Sequence, residues 1–230
     1  MNKTRLILVL FLTSCISEQH EFIMKAEKQP YLLLNHGDER IDHYYWMRDD
    51  SRDDPKVIEY LKNENKLSSE WFKSKFDHQS EIVNELLGQV PDIEISFPIK
   101  NKDYSYYQKL YKKDQLPLYY FKTNKDEEIL YLDPNIKLQE QEYYSIGKIS
   151  PSPDNSLIAY TEDNNGRREY DIRIIDTSTL NILNDSISNA SYDVIWSNDT
   201  EYFIYLKKDP TTLINDSVYV HKIGTSEEED

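Results

Sequence analysis

Apolar residues recur along this chain with two different periods. Between Asp49 and Gly88 they fall three and four apart, as in Val57, Ile58 and Leu61, with Trp71 and Phe72 extending the stripe, which is the spacing of one helix face. Asp54 suits an N-cap and Pro55 the first helical position, where a missing N–H loses nothing. A second, shorter helix is expected from near Asp77, carrying Ile82, Val83, Leu86 and Leu87 on one side and stopping at Gly88. After Pro91 the pattern changes to short runs rich in Tyr, Ile and Val, separated by Asp, Asn, Pro and Lys. These predict strands at Tyr104–Leu110, Leu118–Lys122, Leu157–Thr161, Asp171–Ile175, Tyr202–Leu206 and Ser217–His221, with Asp163-Asn164-Asn165-Gly166 as a hairpin turn.

The strands repeat. Ser152-Pro153-Asp154-Asn155-Ser156-Leu157-Ile158-Ala159-Tyr160 aligns with Ser197-Asn198-Asp199-Thr200-Glu201-Tyr202-Phe203-Ile204-Tyr205 at an offset of 45, and Ile172 and Ile174 align with Val218 and Val220 at an offset of 46. A weaker third unit lies between residues 100 and 135, where Pro117-Leu118-Tyr119-Tyr120-Phe121 precedes Asp133-Pro134. A period of about 40 to 50 residues built only of short strands is the mark of β-propeller blades. The expected fold is therefore mainly β, a partial propeller of two to three blades over residues 91–230, behind a helical N-terminal arm over 30–90.

The first fifteen residues carry a different message. Lys3 and Arg5 precede the apolar run Leu6–Leu12, and Leu12-Thr13-Ser14-Cys15 ends it with small residues, the order of a secretory signal. The run is far shorter than the ~20 residues that span a bilayer. The tetrapeptide ending at Cys15 resembles the bacterial lipobox. That resemblance implies lipid attachment at Cys15, export across the inner membrane, and anchoring to a membrane on its periplasmic side or at the outer membrane. Residues 16–29 then read as a polar tether.

Composition narrows the choice. The 230 residues are 38% hydrophobic, enough for a packed core, and 19 of them are Tyr, which suits half-buried sheet surfaces. A net charge of −15 without a basic stripe excludes nucleic acid as an expected partner. The acidic run Glu227–Asp230 reads as a solvated loop or tail. A lone cysteine excludes an internal disulfide and a Cys-based zinc site. The Asn-x-Ser/Thr triplets, such as Asn184-Asp185-Ser186 and Asn198-Asp199-Thr200, read as turns.

The stretch His36-Gly37-Asp38-Glu39-Arg40-Ile41-Asp42-His43-Tyr44-Tyr45-Trp46-Met47-Arg48-Asp49-Asp50, followed by Asp54-Pro55 and Tyr60-Leu61-Lys62-Asn63-Glu64-Asn65, resembles the opening of oligopeptidase B, in the prolyl oligopeptidase family of serine peptidases. The likeness continues through Phe97-Pro98, Tyr104–Tyr107, Pro117-Leu118-Tyr119, Leu132-Asp133-Pro134-Asn135 and Ser150-Pro151-Ser152-Pro153-Asp154, covering about residues 30–225. It implies a helical arm, a seven-bladed propeller that limits entry to short peptides, and a C-terminal α/β-hydrolase domain that cuts after Lys or Arg.

The chemistry of that hydrolase domain has no counterpart among these residues. Its nucleophile needs a Gly-x-Ser-x-Gly elbow, and Gly37, Gly88, Gly147, Gly166 and Gly224 include no two residues four apart. His20, His36, His43, His78 and His221 show no zinc-binding spacing, and His36 and His43 read as fold residues. Asp49, Asp50, Asp53 and Asp54 lack the glycine of a calcium loop and read as helix-capping groups. No catalytic, cofactor or metal residue is therefore assigned, and Cys15 is the one site residue. The reading that follows is the front of an oligopeptidase B-like lipoprotein, truncated or completed by a separate chain that supplies the later blades and the hydrolase domain. An independent lipoprotein binding module built on partial blades is the alternative.

Overall fold

The computed structural model describes residues 25–76 and 78–230. The chain divides into two compact units between Leu87 and Gly88. The expected signal segment and Cys15 lie outside the described residues.

The first unit opens with a hairpin that the sequence pattern did not reveal, β1 (Tyr31–Asn35) against β2 (Asp38–Asp42). His36 and Gly37 form its two-residue turn at φ 51° and 86°; the left-handed backbone at both positions matches the strand twist, and glycine meets it without strain. After a short helical turn at Tyr45–Met47 comes α1 (Pro55–Lys75), capped as expected: the Asp54 carboxylate accepts from the Lys56 N–H, with Pro55 in the first turn. The second helix, α2, spans Gln79–Gln89. Val57 is the only buried residue of α1, and Trp71, Phe72, Ile82, Val83, Leu86 and Leu87 are all exposed.

The second unit is all sheet apart from short helical turns. A five-stranded sheet contains β3 (Ile93–Ile95), β4 (Ile99–Asn101), β5 (Tyr104–Tyr111), β6 (Leu118–Lys122) and β7 (Glu128–Leu132). Both β3 and β4 pair with β5, so they are one inner strand interrupted at Ser96-Phe97-Pro98, where proline cannot donate to a ladder. After Leu132 comes a short helix, α3 (Pro134–Leu138), capped by Asp133. A six-stranded sheet then holds β8 (Ser145–Pro151), β9 (Leu157–Asp163), β10 (Tyr170–Asp176), β11 (Ile182–Trp196), β12 (Tyr202–Lys208) and β13 (Asn215–Lys222) in consecutive antiparallel order.

The 15-residue β11 belongs to two blades. Residues 182–190 pair with β10, residues 190–196 pair with β12, and Asn189 at φ 54° lies just before the change of partner. The second blade is therefore β8, β9, β10 and the first half of β11, and the third begins with the second half. Alternation along β9 sends Ile158 and Tyr160 to one face and Ala159 to the other. The first face packs on Tyr106, Phe121 and Tyr131 of the first blade; the second, with Ile172 and Ile174, packs on Val194, Phe203 and Tyr205 of the third. Burial on both faces explains why Leu157–Tyr160 reads as a nearly continuous apolar run.

The repeated sequence is a repeated turn. Ser152 N–H donates to Leu157 O and Ser197 N–H to Tyr202 O, both at 2.8 Å. Each serine hydroxyl donates to the aspartate two residues on, at 2.7 Å and 2.5 Å, and accepts the opposing strand's N–H at 3.0 Å. Asn155 and Thr200 take the left-handed position at φ 63° and 66°. Burial pushes the Asp154 carboxyl up, but bonds from Ser152 and Ser156 outweigh it and hold the group down at about 2. The expected turn at Asp163–Gly166 closes the β9–β10 hairpin, its buried Asp163 carboxylate accepting from the Asn165, Gly166 and Arg168 N–H groups.

Candidate functional site

Three inner strands converge on an open cleft of about 890 Å³: β4, β8 and the second half of β11. Its walls include Phe97, Ile99, Tyr192, Ile195 and Trp196, with Lys100 and Lys148 as the charged groups. An inner strand has no partner on its axial side, so its carbonyls need other donors. Side chains of the neighbouring blade supply them. Trp196 Nε1 donates to Ser150 O at 2.8 Å, Ser150 Oγ to Val194 O at 3.3 Å, and Thr161 Oγ1 to Tyr192 O at 3.3 Å. Lys148 reaches across to Asp193 at 2.6 Å, a partly exposed pair worth about 0–1 kcal/mol.

Gly147 makes this arrangement possible. A Cβ there would sit 2.4 Å from Thr161 Oγ1 and 2.7 Å from Tyr170 Cε1, so β8 approaches closely enough for the Thr161 hydroxyl to accept the Lys148 N–H at 2.7 Å only because the residue is glycine.

Between the first and second blades the polar joint is an amide pair. Asn101 Nδ2 donates to Ser152 O at 2.9 Å and to Asn155 Oδ1 at 2.8 Å, and Asn155 Nδ2 returns a bond to Asn101 O at 3.1 Å. The Tyr106 hydroxyl donates to the same Asn155 oxygen at 3.0 Å. Burial pushes the Tyr106 and Tyr131 phenols well above the ordinary tyrosine range, and Tyr119 up to about 12. Tyr106, Tyr119 and Tyr131 thus stay neutral and present mainly apolar surface. Ser96 Oγ accepts from Gln108 N–H and Ser150 Oγ donates to a carbonyl, so neither is paired with a base. Among the described residues, the cleft presents hydroxyl groups and apolar rings beside Lys100 and Lys148.

A second polar cluster sits inside the second blade. Arg173 donates to Glu162 at 2.9 Å and also bonds Ser186, with Asp171 at 3.4 Å, while the Tyr144 hydroxyl donates to the other Glu162 oxygen at 2.6 Å. Its members satisfy one another, which is what a buried charge requires.

The other residues weighed from sequence fall into structural roles. Asp49 accepts from Arg52 and Asp54 N–H groups, and the bond from Asp54 leads in lowering its carboxyl below the usual range; Asp54 caps α1. His36 makes the β1–β2 turn, the His43 carbonyl accepts from Gln29 N–H at 2.9 Å, and His78 pairs with Glu81 at 3.1 Å. Trp46 of the opening motif donates to Glu27 O at 2.8 Å, lies 4.7 Å beneath the Lys56 ammonium and meets Tyr60 edge-on. The acidic run at Glu227–Asp230 is not the solvated tail that its charge suggests. Glu227–Glu229 form a helical turn, Glu227 pairs with Lys207, and the Asp230 carboxylate is buried against His221 and Tyr205. Charge alone could not reveal this, because the partners lie on β12 and β13. Cys15 and His20 lie outside the described residues.

Residues 25–230 match the family described as prolyl oligopeptidase, N-terminal beta-propeller domain. The chain is 30% identical over 225 residues to dipeptidyl aminopeptidase BI of Pseudoxanthomonas mexicana, covering 89% of this chain and 31% of that protein. It is likewise 30% identical over 219 residues to Protease 2 of Moraxella lacunata, again covering 89% and 31%. Among solved structures, oligopeptidase B from Leishmania major superposes with a TM-score of 0.80 at 25% identity, over 89% of this chain and 31% of that one. The chain thus spans about a third of the length of the curated relatives it matches. With its blades, their repeated turns and this match over nearly all described residues, the chain belongs to the prolyl oligopeptidase family, of which it is the N-terminal β-propeller portion.

Proposed function

We propose that the chain forms the front of a serine oligopeptidase that hydrolyses short peptides after Lys or Arg, its blades forming part of a propeller that restricts access to a catalytic domain carried elsewhere in the protein or on a separate chain. The observation that carries this reading is the third blade. It repeats the turn chemistry of the second yet presents Ile195, Ile204, Val218 and Val220 to solvent, whereas the corresponding face of the second blade is covered by the next repeat. A closed ring would cover them. The proposal extends to the N-terminus: a lipid on Cys15 would hold the enzyme to a bacterial membrane surface after export, with residues 16–29 as the tether. Among the described residues no helix is long and apolar enough to cross a membrane.

The test is active-site labelling of the protein purified from its native membrane fraction. A fluorophosphonate probe should label a species that contains this chain or co-purifies with it stoichiometrically, and that species should release the fluorophore from a short Arg-terminated peptide substrate. A purified chain with no labelled serine in it or beside it would overturn the peptidase reading in favour of a binding lipoprotein. Labelling with cleavage only after another residue type, or only of dipeptides from an amino terminus, would keep the peptidase and reject the Lys/Arg specificity.

A further inference from the structure

The turn that joins β9 to β10 holds the sequence's only Asn-Gly pair, Asn165-Gly166. Both residues are exposed to water, while Asp163 beneath them is buried. Asn165 Oδ1 accepts the Arg167 N–H at 2.9 Å, so the side-chain amide reaches forward past the Gly166 nitrogen with its carbonyl polarised. The Gly166 N–H donates to Asp163 Oδ1 at 2.8 Å. The same carboxylate accepts from the Asn165 N–H at 3.0 Å and the Arg168 N–H at 2.9 Å, which fixes the turn. Gly166 takes φ 75° and carries no Cβ to shield its nitrogen.

An asparagine amide carbon and the next backbone nitrogen can close a five-membered imide. The carbon must be electrophilic for this, and the nitrogen must lose its proton. The Arg167 N–H stabilises the negative charge that develops on Asn165 Oδ1 during attack, as an oxyanion-hole donor does. Asp163 Oδ1 lies at hydrogen-bond distance from the proton that has to leave. We infer that Asn165 is a self-modification site, which the folded turn converts to aspartate and isoaspartate. The Gly166 nitrogen bonds to Asn165 Cγ while its proton passes to Asp163 and on to water. The Cγ–Nδ2 bond breaks, and Nδ2 takes a proton from water and leaves as ammonia. Water then opens the imide: at Cγ it leaves aspartate, and at the backbone carbonyl it leaves isoaspartate, with the main chain running through Cγ. No atom is oxidised or reduced.

Asn155, which also precedes a small residue, Ser156, has the opposite setting. It is buried, its Oδ1 accepts from Asn101 and Tyr106, and its Nδ2 donates to Asn101 O, so its amide is locked into the joint between blades. At position 165 either product places a second carboxylate two residues from Asp163. Isoaspartate also lengthens the backbone between Asp163 and Arg168, so the bonds that close the turn no longer fit together. The modification is therefore a one-way loosening of the second blade's rim.

The test is to incubate the protein from its native source at neutral pH, folded in one sample and unfolded in guanidinium chloride in another. Peptide mapping by mass spectrometry follows loss of the Asn165 amide, and labelling by an isoaspartyl methyltransferase reports isoaspartate. Asn165 should react about tenfold faster in the folded sample than in the unfolded one, because the turn holds the reacting groups together. Asn155 should do the reverse and react at least about tenfold more slowly when folded. Asp163→Asn leaves an acceptor for the Gly166 N–H but a far weaker base, and should slow the folded reaction about tenfold while leaving the unfolded rate unchanged. A wild-type Asn165 rate that is equal in both samples, or lower in the folded one, would overturn the inference whatever the variant does. So would a folded Asp163→Asn protein that reacts at the wild-type rate.

Discussion

The second and third blades share one turn chemistry and differ in how much of themselves they bury. In the second, Ile158, Tyr160 and Ile175 pack on the first blade while Ala159, Ile172 and Ile174 pack on the third. In the third, Phe203 and Tyr205 are buried against the second, and Ile195, Ile204, Val218 and Val220 of the same blade are exposed. The cross-strand register makes Ile195, Ile204 and Val220 neighbours, so the exposed residues form a continuous stripe. A blade is therefore a filling between two others. Its strands have the sequence of a two-sided core, and each repeat obtains half of its burial from the next.

Substitutions at either joint of the second blade should show this dependence. Phe203→Ala removes a fully buried ring at the joint between the blades and should destabilise the fold by about 3–5 kcal/mol, read as a lowered denaturation midpoint in urea. Asn155→Ala comes next. It takes away the acceptor of the buried Tyr106 hydroxyl and one of the two acceptors of the Asn101 amide, and places alanine at φ 63°, for a loss of about 1–3 kcal/mol. Asn155→Gly should recover the backbone part of that loss and none of the hydrogen-bond part. Gly147→Ala forces a methyl into Thr161 and Tyr170 and should destabilise by about 1–3 kcal/mol, with faster amide exchange at Lys148 as the local sign.

The smallest effect concerns acid. Asp154 is depressed to about 2 in the fold, so its bonds to Ser152 and Ser156 contribute fully above the ordinary aspartate range and are lost as pH falls through about 2. Asp154→Asn should therefore flatten a small part of the stability decline between about pH 4 and pH 2 and lower the neutral-pH melting temperature by a correspondingly small amount, both read from thermal melts; the effect is small because Asp154 is exposed.

Much of this architecture was legible because its signals are local. Asp54-Pro55 starts α1, Leu118–Lys122 matches β6 residue for residue, and the Ser-x-Asp turns recur at an offset of 45 because the same hydrogen bonds recur. The misses have physical causes. The β1–β2 turn uses His36 at positive φ, where Asn or Gly is the usual cue. The polar stretch Asn184–Ser191 conceals the middle of β11, because there only Ile187 and Ala190 mark the buried face among polar residues. A second turn type went unnoticed because it does not follow the blade period: Asp176 and Asp209 each accept the N–H groups two and three residues on, and Leu180 and Leu213 follow at φ 60° and 57°. Of the cleft, Phe97-Pro98 and Ser150-Pro151 stood out as motifs, but the plugging of inner-strand carbonyls by Thr161, Ser150 and Trp196 depends on a contact between repeats that no single run contains.

Intact-mass spectrometry of the protein from its native membrane fraction tests most directly the proposal that this chain is the front of a longer serine peptidase. The expected result is a product, or a stable complex, that continues through further blades to a Gly-x-Ser-x-Gly domain, with acyl chains on Cys15 as the new amino terminus. A monomeric product that ends at Asp230 and has no hydrolase partner would contradict it.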